Sequence, residues 1–81
     1  MRKQSDRKTK MPQAVIDLGK NIEKIIKDKG LKVSDVAHDS NMDTENFRAY
    51  LKGRVEMKVS TLVRIADALQ VDMNSLFPKS K

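Results

Sequence analysis

GLKVSDVAHDSNMDTENFRAYLKG, residues 30–53, is the stretch that decides the fold. Two short helical patterns flank a polar break, Ser40-Asn41-Met42-Asp43. In the first, residues 33–40, Val33, Val36 and Ala37 make the buried face. In the second, residues 44–52, Phe47, Tyr50 and Leu51 stand at i, i+3 and i+4 and form an inner face. That leaves Thr44, Glu45, Arg48, Ala49 and Lys52 outside, with Asn46 toward one edge. Asn41 belongs to the few non-glycine types that enter the left-handed backbone region easily, so it can reverse the chain between the helices. Met42 is expected to drop from that turn into the core. Asp43 suits the N-cap of the second helix, where its carboxylate also complements the helix dipole. Gly53 stops that helix.

Upstream, Val15, Leu18, Ile22, Ile25 and Ile26 recur at spacings of three and four, which predicts a helix over residues 13–29. Pro12 can open it, because proline in a first turn loses no hydrogen bond. Gly30 can close it in the left-handed conformation. Gly19, inside it, costs about 1 kcal/mol against alanine; a close approach by another helix would account for it. Downstream, a basic loop over residues 54–58 leads to a fourth helix over residues 59–70. There Val59, Leu62, Val63, Ala66 and Leu69 repeat with helical spacing and Ile65 widens the stripe. Asp72 is expected to cap a short fifth helix over residues 73–77, and Pro78 discourages continuation.

The chain divides into three. Residues 1–12, MRKQSDRKTKMP, set Arg2, Lys3, Arg7, Lys8 and Lys10 against one acid, Asp6. Such a segment buries too little to offset its ordering entropy, so a disordered basic arm is expected. Residues 13–77 form the single folded domain, and residues 78–81 a frayed tail.

Bulk properties narrow the function. A chain of 81 residues makes one small domain. At that size it buries only roughly 60–65% of its unfolded surface and has no room for a deep substrate cleft. A net charge of +6 favours an anionic partner, nucleic acid first. The absence of cysteine excludes disulfides and thiolate metal sites and fits a reducing cytoplasm. No apolar run approaches the ~20 residues of a membrane span, and the charged N-terminus lacks an apolar signal core. There is no Ser-His-acid set, glycine-rich phosphate loop or paired ligand motif, so neither catalysis nor a cofactor is expected. His38, the only histidine, is expected on the outer side of the second helix. Met42, Met57 and Met73 read as core or interface fillers.

The ordered set of apolar and glycine positions resembles the Cro/repressor-type helix-turn-helix family, often called the XRE family. Leu18-Gly19 with Ile22, Gly30-Leu31, Val36-Ala37, Phe47 and Gly53 carry the resemblance. Leu62, Ile65-Ala66, Ala68-Leu69, Val71 and Leu76 continue it, so that it spans roughly residues 14–77. It implies an all-α, five-helix, lambda-repressor-like domain that binds double-stranded DNA by sequence, usually as a homodimer on a palindromic site. Helix 44–52 would enter the major groove while helix 33–40 lies across it. The base-reading residues implied are Thr44, Glu45, Arg48 and Ala49. Thr44 can bond a base edge, Glu45 can accept from a cytosine amino group, Ala49 can pack on a methyl, and Arg48 can read guanine or reach a phosphate. Lys32, Asn46, Lys52, Arg54 and Lys58 fall to the DNA backbone, and the arm tracks a groove or the phosphates. The apolar C-terminal set, Val71, Met73, Leu76 and Phe77, is expected both to close the core and to form a dimer seam, with Met73 and Phe77 crossing it and the two recognition helices about 34 Å apart.

The departures from the family pattern matter too. Lys32 and Val33 stand where many members carry Ser-Gln, so that polar clamp is missing, and Lys32 and backbone amides near the helix start can substitute for it. Ser40 replaces a usual Leu and thins the core. Ile26 and Leu51 stand where many members pair Arg with Glu. Removing one partner of a buried ion pair costs roughly 3–5 kcal/mol, whereas exchanging both for aliphatic groups can be neutral or stabilising. Ile26 and Leu51 are therefore expected to meet in the core.

The function expected is a transcriptional regulator, either a repressor or an autoregulator. The alternative is an antitoxin-type interaction module that neutralises a partner protein and binds its own promoter, although the basic arm suits an acidic partner poorly. A third reading is nonspecific nucleic-acid binding, RNA included; one Tyr and two Phe, all expected to be buried, argue against base stacking on single strands.

Overall fold

The computed structural model describes residues 12–78, so the arm up to residue 11 and residues 79–81 of the tail lie outside the described residues. Four α-helices follow one another: α1 (Gln13–Asp28), α2 (Val33–Asp39), α3 (Thr44–Leu51) and α4 (Val59–Leu69). A single 3₁₀ turn, η1 (Met73–Leu76), completes the chain order. Among the described residues there is no strand. α3 packs on both α1 and α2, α4 packs on α2, and η1 folds back onto α4 and α1. Phe47, Ile22, Ile26, Ile65, Leu69 and Leu76 are fully buried at the centre.

All four helices end by one device. A residue in the left-handed conformation follows the last turn: Gly30, Asn41, Gly53 and Gln70, with φ of 70°, 62°, 73° and 59°. Each donates its N–H to the carbonyl three residues back: Lys27, His38, Tyr50 and Asp67. The next residue donates to the carbonyl five back: Leu31 to Ile26, Met42 to Ala37, Arg54 to Ala49 and Val71 to Ala66. This Schellman pairing takes up carbonyls that a helix end otherwise leaves bare.

Three expectations need correction. The fifth helix is a 3₁₀ turn that stops before Phe77, whose backbone is extended. Asn21 of α1 donates its side-chain amide to the carbonyls of Ser75 (3.1 Å) and Leu76 (2.8 Å), the acceptors a continuing helix would use. Asp43 and Asp72 occupy the N-cap positions of α3 and η1 but make no side-chain cap hydrogen bond, so the Asp43 side chain contributes only its charge to α3. The inner face of α4 is rotated from the expected stripe. Leu62, Ile65, Ala66 and Leu69 are buried, while Val59 is 66% and Val63 44% exposed. The flank carrying the two valines faces solvent because α2 and η1 cover the Ile65 side.

Other expectations hold. Ile26 and Leu51 are both buried in the one core cluster, on helices that pack together. Met42, Met57 and Met73 are half-buried against that cluster. Gly19 marks a close crossing: a Cβ there would lie 2.6 Å from the carbonyl oxygens of both Tyr50 and Leu51. Ser40 is fully buried, and its hydroxyl has no hydrogen-bond partner.

Candidate DNA interface

One side of α3 is fixed to the core by Phe47 and Leu51, with Tyr50 half-buried beside them. The opposite side is therefore presented outward. Glu45, Asn46, Arg48 and Lys52 are exposed, and Thr44 and Ala49 are half-buried. Two glycines let the chain at the end of α3 sit close against α1. Gly19 lets α1 approach the last α3 carbonyls, and Gly53 fits against Ile16, where a Cβ would meet the Ile16 Cα at 2.9 Å. Both contacts join the end of α3 to the first half of α1, so α3 projects at a set attitude.

The Arg54 N–H reaches the Ala49 carbonyl at 3.0 Å, which folds Arg54 back over the last turn of α3. As a result Glu45, Arg48, Ala49, Lys52 and Arg54 line one shallow depression. Three cations and one carboxylate thus share that lining with Ala49. Lys32 and Lys58 are exposed at the N-cap positions of α2 and α4, outside that depression. Asn46 is exposed and also outside it. Asp35 and Asp39 on α2 and Asp43 in the turn are exposed as well, so the surface N-terminal to α3 is acidic and the surface at its C-terminal end is basic. His38 is exposed. The arm residues Arg2, Lys3, Arg7, Lys8 and Lys10 lie outside the described residues.

The residues expected to close the core and to form a dimer seam differ in exposure. Leu76 is 0% exposed inside its own subunit and has no surface to offer a partner. Val71 and Met73 are half-buried against the core. Phe77 is 43% exposed, so of the three aromatic residues only Phe47 is fully buried as expected. The residues not anticipated are structural positioners: Asn21, whose amide clamps η1, and Gln70, which closes α4 without a glycine to announce it. Gly19 did carry a signal, a glycine within a strong helical pattern.

Among the described residues, no group of three or more His, Cys, Asp or Glu could hold a metal ion, and no helix is long and apolar enough to cross a membrane. The fold resembles solved structures. The restriction-modification controller protein C.AhdI from Aeromonas hydrophila superposes with a TM-score of 0.78 at 20% identity, over 82% of this chain and 100% of that one. The clp gene regulator ClgR from C. glutamicum superposes with a TM-score of 0.76 at 22% identity, over 80% of this chain and 84% of that one. No curated protein sequence matches the chain. The model of the Cro/C1-type HTH DNA-binding domain matches residues 21–77, which takes in α2, the turn, α3 and α4 whole. The chain belongs to the Cro/C1-type helix-turn-helix DNA-binding family.

Proposed function

We propose that the protein is a sequence-specific regulator of transcription, a repressor or autoregulator, that inserts α3 into the major groove of duplex DNA. The observation that carries this reading is the exposed side of α3, where Glu45, Arg48 and Lys52 share one depression with Arg54. Thr44, Glu45 and Ala49 face base edges, and Lys32, Asn46, Lys52, Arg54 and Lys58 face phosphates along both walls of the groove. Regulation then follows from occupancy: a bound domain on a promoter blocks or recruits polymerase. The two structural relatives support gene control, one being a controller protein and the other a gene regulator by description.

The regulator acts as a homodimer, with Phe77 as its most exposed aromatic contact and Met73 and Val71 beside it. Val59 and Val63, one turn apart on the outer flank of α4, add apolar surface that a lone subunit leaves in water. Such a dimer would read two half-sites about one DNA turn apart.

Selection of bound fragments from random duplex DNA tests the reading. A palindromic consensus is expected. Arg48→Ala and Lys52→Ala should weaken binding to it while leaving thermal stability unchanged, because both side chains are exposed. Unchanged binding by both variants would place the DNA on another face. Failure to enrich any sequence, with a second small protein co-purifying, would favour the antitoxin-type module.

A further inference from the structure

The four helix ends share one backbone motif, yet they differ at one position. The residue after the left-handed one is Leu31, Met42 and Val71 at the ends of α1, α2 and α4. An apolar residue is usual there, since it packs back onto the last helical turn. Met42 and Val71 do pack against the core. At the end of α3 the position holds Arg54, which is exposed. Its N–H is committed to the Ala49 carbonyl, so the residue is folded over the last turn whether or not its side chain packs.

We propose that Arg48, Lys52 and Arg54 form a single, preassembled seat for one backbone phosphate of duplex DNA. This deepens the DNA reading and rests on it. It also moves Arg48 from base reading to backbone binding. Three observations converge. The three cations line, with Ala49 and Glu45, one depression of about 220 Å³, open enough for a phosphodiester group. The carbonyls of Ala49 and Tyr50, which would repel an anion at a helix C-terminus, are already taken by the N–H groups of Arg54 and Gly53. Finally, Arg48 and Lys52 stand one turn apart at the C-terminal end of α3 and are both exposed, so their side chains share one face there. Two planar guanidinium groups suit the oxygens of a phosphate, and the Lys52 ammonium adds a third charge-assisted donor. Glu45 lines the same depression from one turn nearer the start of α3, so it repels phosphate there and leaves the N-terminal half of α3 to the bases.

The test uses the duplex enriched by selection, synthesised with one neutral methylphosphonate at each backbone position in turn. For the unaltered protein, one position per half-site should lower affinity about tenfold, as expected for loss of a charge-assisted contact. Arg48→Ala, Lys52→Ala and Arg54→Leu should each weaken binding to the unmodified duplex and lose sensitivity at that same position. Arg54→Leu restores the usual apolar residue, so its thermal midpoint should be unchanged or raised while its affinity falls. Sensitivity lost at three different phosphates would overturn the seat. So would loss of affinity on 7-deazaguanine substitution that Arg48→Ala abolishes, since Arg48 would then read guanine N7. If no duplex is enriched, the DNA reading itself fails and the seat fails with it.

Discussion

Gly19→Ala is the sharpest probe of how α3 is held. The new Cβ would lie 2.6 Å from the carbonyl oxygens of Tyr50 and Leu51, where ordinary contact begins at 3.4 Å. Both obstacles are backbone atoms, so no side chain can swing aside, and the end of α3 must retreat by that difference. Two terms oppose each other. Alanine gains about 1 kcal/mol over glycine within a helix. Overpacking a close-packed crossing loses typically about 1–3 kcal/mol, and two backbone clashes place this case at the upper end. The net expectation is a loss of about 1–2 kcal/mol, or a thermal midpoint lowered by roughly 5–15 °C for a domain of this size. Gly30→Ala is the control. Its φ of +70° strains alanine, but nothing lies within 4 Å of the added atom, so it should also lose about 1 kcal/mol. The two separate in DNA affinity measured well below either midpoint. Gly19→Ala shifts α3 and should bind weakly even when fully folded, whereas Gly30→Ala should bind as the unaltered protein does. A midpoint for Gly19→Ala equal to or above that of the unaltered protein would refute the crossing.

Two further substitutions test local features. Gln70→Gly places glycine at a residue with φ of 59° that closes α4; relief of left-handed strain should raise stability by about 0.5–1 kcal/mol, read as a higher denaturant midpoint at constant slope. A fall in the midpoint would mean that the Gln70 side chain makes a stabilising contact. Ser40→Ala removes a buried hydroxyl that lacks a partner, so stability should rise by about 1 kcal/mol. A loss of more than that would show that the hydroxyl is satisfied in solution.

Periodicity and turn chemistry make much of this fold legible. Gly30, Asn41 and Gly53 declare three helix ends because few residue types adopt positive φ. Gln70 gives no such warning, and the fourth end has to be seen in the backbone. The face of α4 is ambiguous for a different reason. Val59 and Val63 keep helical register with Leu62 and Ala66, and spacing alone cannot say which side of a broad apolar stripe a neighbouring helix will cover. Glu45, Asn46, Arg48 and Lys52 can be found by subtraction of the Phe47, Tyr50 and Leu51 face, whereas Thr44 and Ala49, also left by it, are half-buried. The grouping of Arg54 with Arg48 and Lys52 cannot be found that way. It arises from a hydrogen bond between residues 54 and 49, and nothing in the side-chain pattern encodes it.

The junction between α1 and α3 bears on how salt should act. Ile26 of α1 and Leu51 of α3 are both buried there, and Gly19 and Gly53 add close contacts at the end of α3. Salt screens exposed charges within about 8–10 Å but has little hold on buried apolar contacts. The attitude of α3 should therefore be indifferent to ionic strength, and screening of the +6 net charge should leave stability level or slightly higher. Affinity for duplex DNA should fall steeply over the same range, by about 0.9 in logarithmic slope for each phosphate engaged. Thermal unfolding and DNA titration across one salt series separate the two effects. A thermal midpoint that falls in parallel with affinity would mean that charge pairs hold α3 in place, and that the apolar junction is not what seats the helix.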